Sequence, residues 1–220
     1  MIEQISKTLN LVVKAKPLVL NLTNYVTQDF MANALLAIGA APLMTESDEE
    51  LEELVSISSS ININIGTLND AFIERCRKAI ICAKQYQKPI IFDPVGSGAS
   101  FIRTKTAQEF IKYVDIVRGN ASEIISLQKD RKGETLGVES TNSTVEAKDI
   151  AKEIAKKYGV TVVVSGPVDF ITDEERNLEI VFGSPLMSQV TGMGCVLTAV
   201  VAAFRGVLND SFESARFATS

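Results

Sequence analysis

Residues 69–98 read NDAFIERCRKAIICAKQYQKPIIFDPVGSG and place a helix, a strand and a turn in succession. Asn69 or Asp70 can cap a helix that runs to Tyr86, and the β-branched run Pro89–Phe92 is typical of a buried strand. The proline and glycines that follow it mark a turn. This order predicts one unit of an α/β fold.

The same alternation extends along the chain in both directions from this unit. Short strand-like segments predict strands at Leu18–Leu20, Pro42–Met44, Ile61–Ile65, Asp115–Arg118 and Thr161–Ser165. Helical patterns cover Ile2–Val13, Gln28–Ile38, Asn120–Gln128, Val145–Tyr158 and Val196–Leu208. Two further helices are predicted, one that begins at Ser47, with Glu50 completing a capping box, and one that runs from its cap Thr104 to Tyr113. The runs Phe170–Thr172 and Leu178–Phe182 predict an edge hairpin.

Strands that alternate with helices of ten or more residues need right-handed crossovers and form a mostly parallel sheet covered on both faces. We therefore predict an α/β fold, with ligands bound beyond the carboxyl ends of the strands. The polar stretch 129–144 is interpreted as a surface excursion, because the alternation resumes after it. Residues 1–220 are predicted to form a single domain.

Composition excludes several classes of function. A formal net charge of −5 leaves no broad basic face, so we do not expect nucleic acid as a partner. The longest apolar stretches are too short to cross a bilayer, so we expect no membrane partner. The three cysteines are odd in number and form no C-x-x-C motif, which indicates a reducing compartment, and we predict a cytoplasmic protein.

The chain contains no histidine. Mechanisms that pair histidine with serine or cysteine, and metal sites with histidine ligands, are therefore excluded. Proton transfer must fall to Asp, Glu, Cys, Lys or Tyr.

Three segments that follow predicted strands carry reactive groups. Asp93 directly follows a strand, where it could reach a divalent cation, although Asp-Pro is also an ordinary turn opening. Asn120 and Glu123 could converge on one helix face, or form only a capping box. Arg118, at a strand end beside a helix start, suits an anionic phosphate.

The third segment, Val190–Cys195, is rich in glycine and precedes an apolar helix. Gly192 and Gly194 let the backbone come close to a ligand, and the free N–H groups of the helix start favour a transferring phosphoryl group. We expect the helix dipole to lower the pKa of Cys195. The alternative is that the glycines serve helix packing and that the cysteine is a small buried apolar residue.

Six separated motifs together resemble the hydroxyethylthiazole kinase family in order and spacing. They are Asn21–Val26, Asn33–Met44, Asn64–Leu68, Asp93–Gly96, Arg118–Glu123 and Thr191–Cys195. The resemblance covers about residues 17–204. It implies a ribokinase-like three-layer α/β/α fold with a mostly parallel sheet, and ATP-dependent phosphorylation of the hydroxyl of 4-methyl-5-(2-hydroxyethyl)thiazole in thiamine salvage.

The resemblance also implies residue roles. Met44 and Gly192 would contact the thiazole, with Asn24 and Val26 as pocket neighbours. Arg118, Ser165 and Asn120 would contact ATP, and Asp93 and Glu123 would hold Mg²⁺, directly or through water. The catalytic set would be Cys195, Gly192 and Gly194, with Cys195 where most ribokinase-like kinases have Asp.

Family members are trimers with active sites between subunits, so the resemblance implies a homotrimer. The family also continues past the position of Ser220 with further helices, which the domain 1–220 would lack. Two alternatives stay open. One is a truncated protein of low activity that still binds the thiazole or a nucleotide. The other is an ADP- or ATP-dependent NAD(P)HX dehydratase of the same superfamily, although such relatives usually have Asp at the position of Cys195.

Overall fold

The computed structural model describes residues 2–128 and 141–220, with side chains after the gap described from Val145. Its strands are β1 Leu18–Leu22, β2 Ala41–Met44, β3 Ser60–Asn64, β4 Ile90–Asp93, β5 Ile116–Asn120, β6 Thr161–Ser165, β7 Asp169–Thr172 and β8 Asn177–Ile180. Its α-helices are α1 Ile2–Ala15, α2 Gln28–Ala37, α3 Leu51–Ile57, α4 Asp70–Gln85, α5 Phe101–Phe110, α6 Ala121–Ser126, α7 Thr141–Tyr158, α8 Met193–Arg205 and α9 Ser211–Thr219.

The eight strands form one sheet in the order β2-β1-β3-β4-β5-β6-β7-β8. All pairs from β2 to β6 are parallel, whereas β7 and β8 pair antiparallel at one edge. The predicted parallel sheet and edge hairpin are therefore confirmed. Parallel strands bring their carboxyl ends to the same edge of the sheet, so residues after β1, β3, β4, β5 and β6 lie there together.

Two hydrophobic cores cover the two faces of the sheet. Helices α3 to α7 pack on one face around residues such as Ile63 and Phe92. Helices α1, α2, α8 and α9 pack on the other face around residues such as Met31 and Ile91. The neighbouring strand residues Ile91 and Phe92 point to opposite cores, as the alternation of side chains along a strand requires. This arrangement is a three-layer α/β/α sandwich.

Two predicted helix starts are wrong. Helix α3 begins at Leu51 and not after Ser47, because Thr45 instead hydrogen-bonds Glu50, with Oγ1 2.5 Å from Oε1. Helix α5 begins at Phe101, with Ser100 as its cap.

The predicted cap Thr104 therefore lies within the first turn of α5. Its hydroxyl donates to the carbonyl of Ser100 and accepts from the amide of Gly98. Helix α5 ends at Phe110, and Ile111–Tyr113 forms a 3₁₀ turn.

Two further boundaries differ from prediction. Helix α8 begins at Met193, three residues earlier than expected, and helix α7 begins at Thr141. The predicted surface excursion 129–144 falls largely outside the described residues, and its last four residues belong to α7. Among the described residues, no helix is both long enough and apolar enough to cross a membrane.

Candidate active site

The start of α8 forms one wall of the site. Gly192 precedes the helix with φ of +91°, a left-handed conformation that favours glycine. A Cβ at this position would also lie 2.5 Å from Cγ2 of Thr27, so a larger residue is excluded sterically. The amides of Gly194 and Cys195 belong to the first turn, where N–H groups have no partner within the helix. These amides are available to an anion.

Arg118 extends from β5 across this helix start. A Cβ on Gly194 would lie 2.9 Å from Nη2 of Arg118 and would collide with Nη1, so glycine is needed for the guanidinium to approach the backbone. Nε of Arg118 donates to Oγ of Ser165 at 2.8 Å, from the neighbouring strand β6. The structure thus brings two predicted ATP-binding residues together beside free helix amides.

Asp93 lies at the carboxyl end of β4 and is fully buried. Its Oδ2 accepts from Nδ2 of Asn64 at 3.0 Å and from Oγ1 of Thr198 at 2.9 Å, and lies 4.0 Å from Nη1 of Arg118. Its Oδ1 has no hydrogen-bond partner within the described part of the chain. Burial raises the pKa of Asp93 to about 7, opposed by the Arg118 charge and assisted by the Glu123 charge.

Glu123 is held by backbone amides. Its Oε1 accepts from the amide of Gly96 at 2.9 Å and its Oε2 from the amide of Asn120 at 2.8 Å. The side chain of Asn120 accepts from the amide of Glu123 in return, which completes a capping box. The capping-box alternative for these two residues is thus realised, and it fixes Glu123 between the turn after β4 and the start of α6.

Cys195 lies half-buried in the first turn of α8, with Sγ 3.6 Å from Nδ2 of Asn24. The expected lowering of its pKa is wrong. Burial raises the pKa of the thiol, and the nearby Asp93 carboxylate raises it further, whereas hydrogen bonds from Asn64, Thr27 and Asn24 oppose these effects. Because burial has the largest effect, the thiol is favoured over the thiolate.

The predicted thiazole contacts lie in different surroundings. Asn24 is buried, and its Oδ1 accepts from both the amide and the hydroxyl of Thr27. Val26 is 69% exposed in the turn between β1 and α2. Met44 ends β2 and is half-buried, paired in register with Asn21 of β1. Of these residues, Asn24 contacts Cys195 directly.

Asn64, Thr198 and Thr27 are not among the predicted site residues, although all three contact site residues. The signal for Asn64 is visible in the run Ser60–Asn64, SININ, where polar and apolar residues alternate although the strand is wholly buried. A buried polar residue needs a hydrogen-bond partner, so such alternation in a central strand indicates a polar network.

A cavity of about 500 Å³ lies away from this site, at the amino ends of β5 and β6. It is lined by acidic residues that include Asp173 and Asp210. Both carboxylates pair with Arg176, at 2.7 and 2.8 Å. One guanidinium thus bridges two carboxylates and connects the β7–β8 turn to Asp210, the cap of α9.

Comparison with known structures supports the fold. The structure of a hydroxyethylthiazole kinase protein from Pyrococcus horikoshii matches with a TM-score of 0.89 and 35% identity, over 98% of this chain and 81% of that chain. A Bacillus subtilis pyridoxal kinase matches with a TM-score of 0.66 and 14% identity, over 92% and 88%. A ribokinase-like superfamily protein from Enterococcus faecalis matches at 0.68 and 15%, over 92% and 75%. The predicted ribokinase-like fold is confirmed.

Comparison with sequences identifies the family. A hydroxyethylthiazole kinase from Chlamydia caviae is 52% identical over 218 residues, which are 98% of this chain and 83% of that protein. One from Pyrococcus furiosus is 45% identical over 202 residues, 91% of this chain and 76% of that protein. Neither of the two alternatives, the truncated binding protein or the dehydratase, is favoured by these matches. A sequence profile of the family matches residues 9–220, and the chain belongs to the hydroxyethylthiazole kinase family.

Proposed function

We infer that this protein transfers the γ-phosphoryl group of ATP to the hydroxyl of 4-methyl-5-(2-hydroxyethyl)thiazole, a step of thiamine salvage. Family membership supports the reaction, and one structural observation supports its place. The glycine-lined start of α8 offers free amides beside the guanidinium of Arg118 and the buried carboxylate of Asp93. Donors preorganised around a transferring phosphoryl group stabilise its charge in the transition state.

ATP is the phosphoryl donor, and Arg118, Ser165 and Asn120 are its proposed contacts. The Nε–Ser165 bond fixes the direction of the guanidinium, so its terminal nitrogens are directed towards the helix start. A guanidinium presents several donors in a fixed plane, which suits phosphate oxygens. Asn120 lies at the end of the same strand as Arg118.

Mg²⁺ is proposed as the cation of this site. Asp93 and Glu123 supply the hard oxygen donors that it prefers, and the unpartnered Oδ1 of Asp93 has free acceptor capacity. Each oxygen of Glu123 accepts one amide and keeps a further lone pair, so Glu123 would hold the cation directly or through water. Among the described residues, no three His, Cys, Asp or Glu side chains cluster as ligands. This agrees with Mg²⁺, which keeps several waters and binds phosphate; when bound, it would neutralise charge on the phosphate oxygens.

Cys195 is proposed to lie beside the reacting hydroxyl, together with the backbone of Gly192 and Gly194. Its raised pKa keeps the thiol protonated at neutral pH, so it is a weak base. A loose phosphoryl-transfer transition state demands little base strength, and alignment carries most of the acceleration. Cys195 therefore only assists, and the backbone amides at the start of α8 contribute most of the stabilisation of the transition state.

The thiazole is proposed to contact Met44 and Gly192, with Asn24 and Val26 nearby. The side chain of Asn24 is engaged by Thr27, Asn64 and Cys195, so it would shape the pocket rather than select the ligand. Val26, which is exposed, could meet substrate only at the mouth of the site.

We propose a homotrimer with active sites between subunits. An exposed apolar segment runs directly into the site, formed by Val181, Phe182, Leu186, Met187 and Val190. Exposed Tyr25, Val26 and Phe30 lie on the other side of Gly192, which packs near Thr27 and Phe30. Contiguous exposed apolar residues mark interaction surfaces.

The three cysteines are free, which supports a cytoplasmic protein.

Incubation of the purified chain with Mg-ATP and either hydroxyethylthiazole or hydroxymethylpyrimidine tests the reaction, with products followed by mass. We expect a gain of one phosphate on the thiazole alcohol alone. Phosphorylation of the pyrimidine instead, or of neither compound, would overturn the proposed function.

A further inference from the structure

Asn64 is the last residue of β3, and its side chain is fully buried and hydrogen-bonds only to other parts of the protein. Its Nδ2 donates to Oδ2 of Asp93 at 3.0 Å. Its Oδ1 accepts from Nδ2 of Asn24 at 2.9 Å and from the amide of Gly66 at 3.0 Å. One amide group thus joins Asp93, at the end of β4, to Asn24, after β1, and to Gly66, after β3.

The two ends of this amide reach different halves of the site. Asp93 is the register partner of Asn64 on β4 and belongs to the phosphate half, where it also accepts from Thr198 of α8. Asn24 follows β1 and donates onward to Sγ of Cys195, at the proposed position of the reacting hydroxyl.

The orientation of the Asn64 amide is fixed by these partners. If it were reversed, its oxygen would face the Asp93 carboxylate, and its NH₂ would face the donors of Asn24 and Gly66. Both contacts would then be repulsive, so one orientation alone satisfies the network. A buried network with one satisfied arrangement holds its members rigidly.

We propose that Asn64 is a positioning residue of the kinase reaction, whose side-chain amide holds the Asp93 carboxylate and the Asn24–Cys195 pair in one fixed arrangement. This inference rests on the proposed function, since both halves of the site must meet at the transferring phosphoryl group. Misplacement of catalytic groups by about 1 Å can cost a hundredfold in rate. Asn64 therefore acts on kcat through its neighbours and does not contact substrate.

Asn62 provides a matched control. It lies two residues earlier on β3, on the same face of the sheet, and is equally buried. Its Nδ2 donates to Oδ1 of Asn21 at 2.9 Å and faces Sδ of Met31 at 3.4 Å. It thus offers a buried amide without a contact to Asp93, Asn24 or Cys195, although its Oδ1 has no hydrogen-bond partner among the described residues.

The first test is steady-state kinetics of Asn64→Ala, Asn64→Ser and Asn62→Ala, measured below the melting temperature of each variant. We expect both Asn64 variants to lose about 10- to 100-fold in kcat with the thiazole KM within threefold, because an interaction through neighbours affects the transition state. Asn62→Ala should also lose thermal stability, because it leaves Oδ1 of Asn21 without this donor, but should keep kcat within threefold. A kcat within threefold of the parent protein in either folded Asn64 variant would overturn the inference.

A second readout does not depend on turnover. Titration calorimetry measures how much Mg²⁺ increases the affinity for ADP. The change that Asn64→Ala makes in this increase is measured twice, once in the parent protein and once in the Asp93→Asn variant. We expect Asn64→Ala to reduce the Mg²⁺-dependent gain several-fold in the parent protein and to have no effect in Asp93→Asn. Equal effects in both backgrounds would contradict an action through Asp93. If the parent protein does not phosphorylate the thiazole, the proposed function fails, and this cycle alone decides the inference.

Discussion

At the scale of single residues, Asp93 shows a conflict between stability and function. Its carboxylate is fully buried, and its pKa of about 7 lies above the value of about 3.9 in an unfolded chain. The native state therefore binds more protons than the unfolded state between about pH 4 and 7. The contribution of Asp93 to the free energy of unfolding therefore falls as the pH rises through this range, by at most about 1.4 kcal/mol per pH unit.

Asp93→Asn should remove this pH dependence while keeping an acceptor for Asn64 and Thr198. We expect its melting temperature at pH 8, in EDTA, to exceed that of the parent protein by a few degrees, and the difference to shrink at pH 5. Scanning calorimetry at both pH values measures the two melting temperatures. In steady-state kinetics, kcat of Asp93→Asn should fall at least a hundredfold. A variant that melts earlier than its parent at pH 8 would contradict the raised pKa.

Cys195→Asp tests how little chemistry the thiol performs. A carboxylate is a better proton acceptor at neutral pH, and the donors Asn24 and Thr27 that surround Sγ could serve it equally well. We expect kcat to be kept or raised, as measured by steady-state kinetics with the thiazole. An inactive but folded Cys195→Asp protein would refute the assisting role of the cysteine.

At the scale of elements, the start of α8 depends on glycine. Gly194→Ala would press a methyl group against the guanidinium of Arg118. We expect a loss of at least tenfold in kcat/KM for ATP, with a small change in melting temperature because alanine favours the helix. Gly159→Ala, away from this site, is a control for the loss of a glycine: its φ of +65° strains alanine, so it should lower the melting temperature but leave the ATP kinetics unchanged. Unchanged ATP kinetics in Gly194→Ala would show that Arg118 does not need its present position.

Two predicted capping boxes differ in the structure and provide a matched pair. Asn120 and Glu123 form both reciprocal hydrogen bonds, whereas Ser47 does not cap α3. Asn120→Ala should cost about 1–2 kcal/mol in the free energy of unfolding, as loss of a real cap does. Ser47→Ala should cost less than about 0.5 kcal/mol, as exposed surface substitutions do. Urea denaturation measures both, and equal costs would contradict the assignment.

These elements show what the sequence can and cannot predict. The apolar runs at β1, β4 and β6 identify the strands, because central strands of a parallel sheet are buried on both faces. The starts of α3 and α5 are misplaced, because serine and threonine bond equally well to nearby turns and to helix amides. The direction of the pKa shift of Cys195 is not predictable from the sequence for a related reason. The helix dipole is local and visible in the sequence, whereas burial and the charge of Asp93 come from distant segments.

At the scale of the whole molecule, the proposed trimer would cover the exposed apolar segment 181–190. Leu186 lies in this segment and is 64% exposed, so it is not part of the core of the described subunit. We expect Leu186→Asp to fold and to dissociate the trimer, with a loss of activity because the sites lie between subunits. Light scattering coupled to gel filtration measures the mass. Ile81→Asp, at an equally exposed residue on α4, is the control and should remain trimeric. A monomeric parent protein would contradict this proposal.

A crystal structure with Mg²⁺ and ADP tests the central claim most directly. We expect the terminal phosphate of ADP to lie against the amides of Gly194 and Cys195, beside Arg118, with a cation between it and Asp93. Phosphates bound elsewhere, for example in the cavity beside Gly159, or a helix start that stays without ligand, would contradict the account.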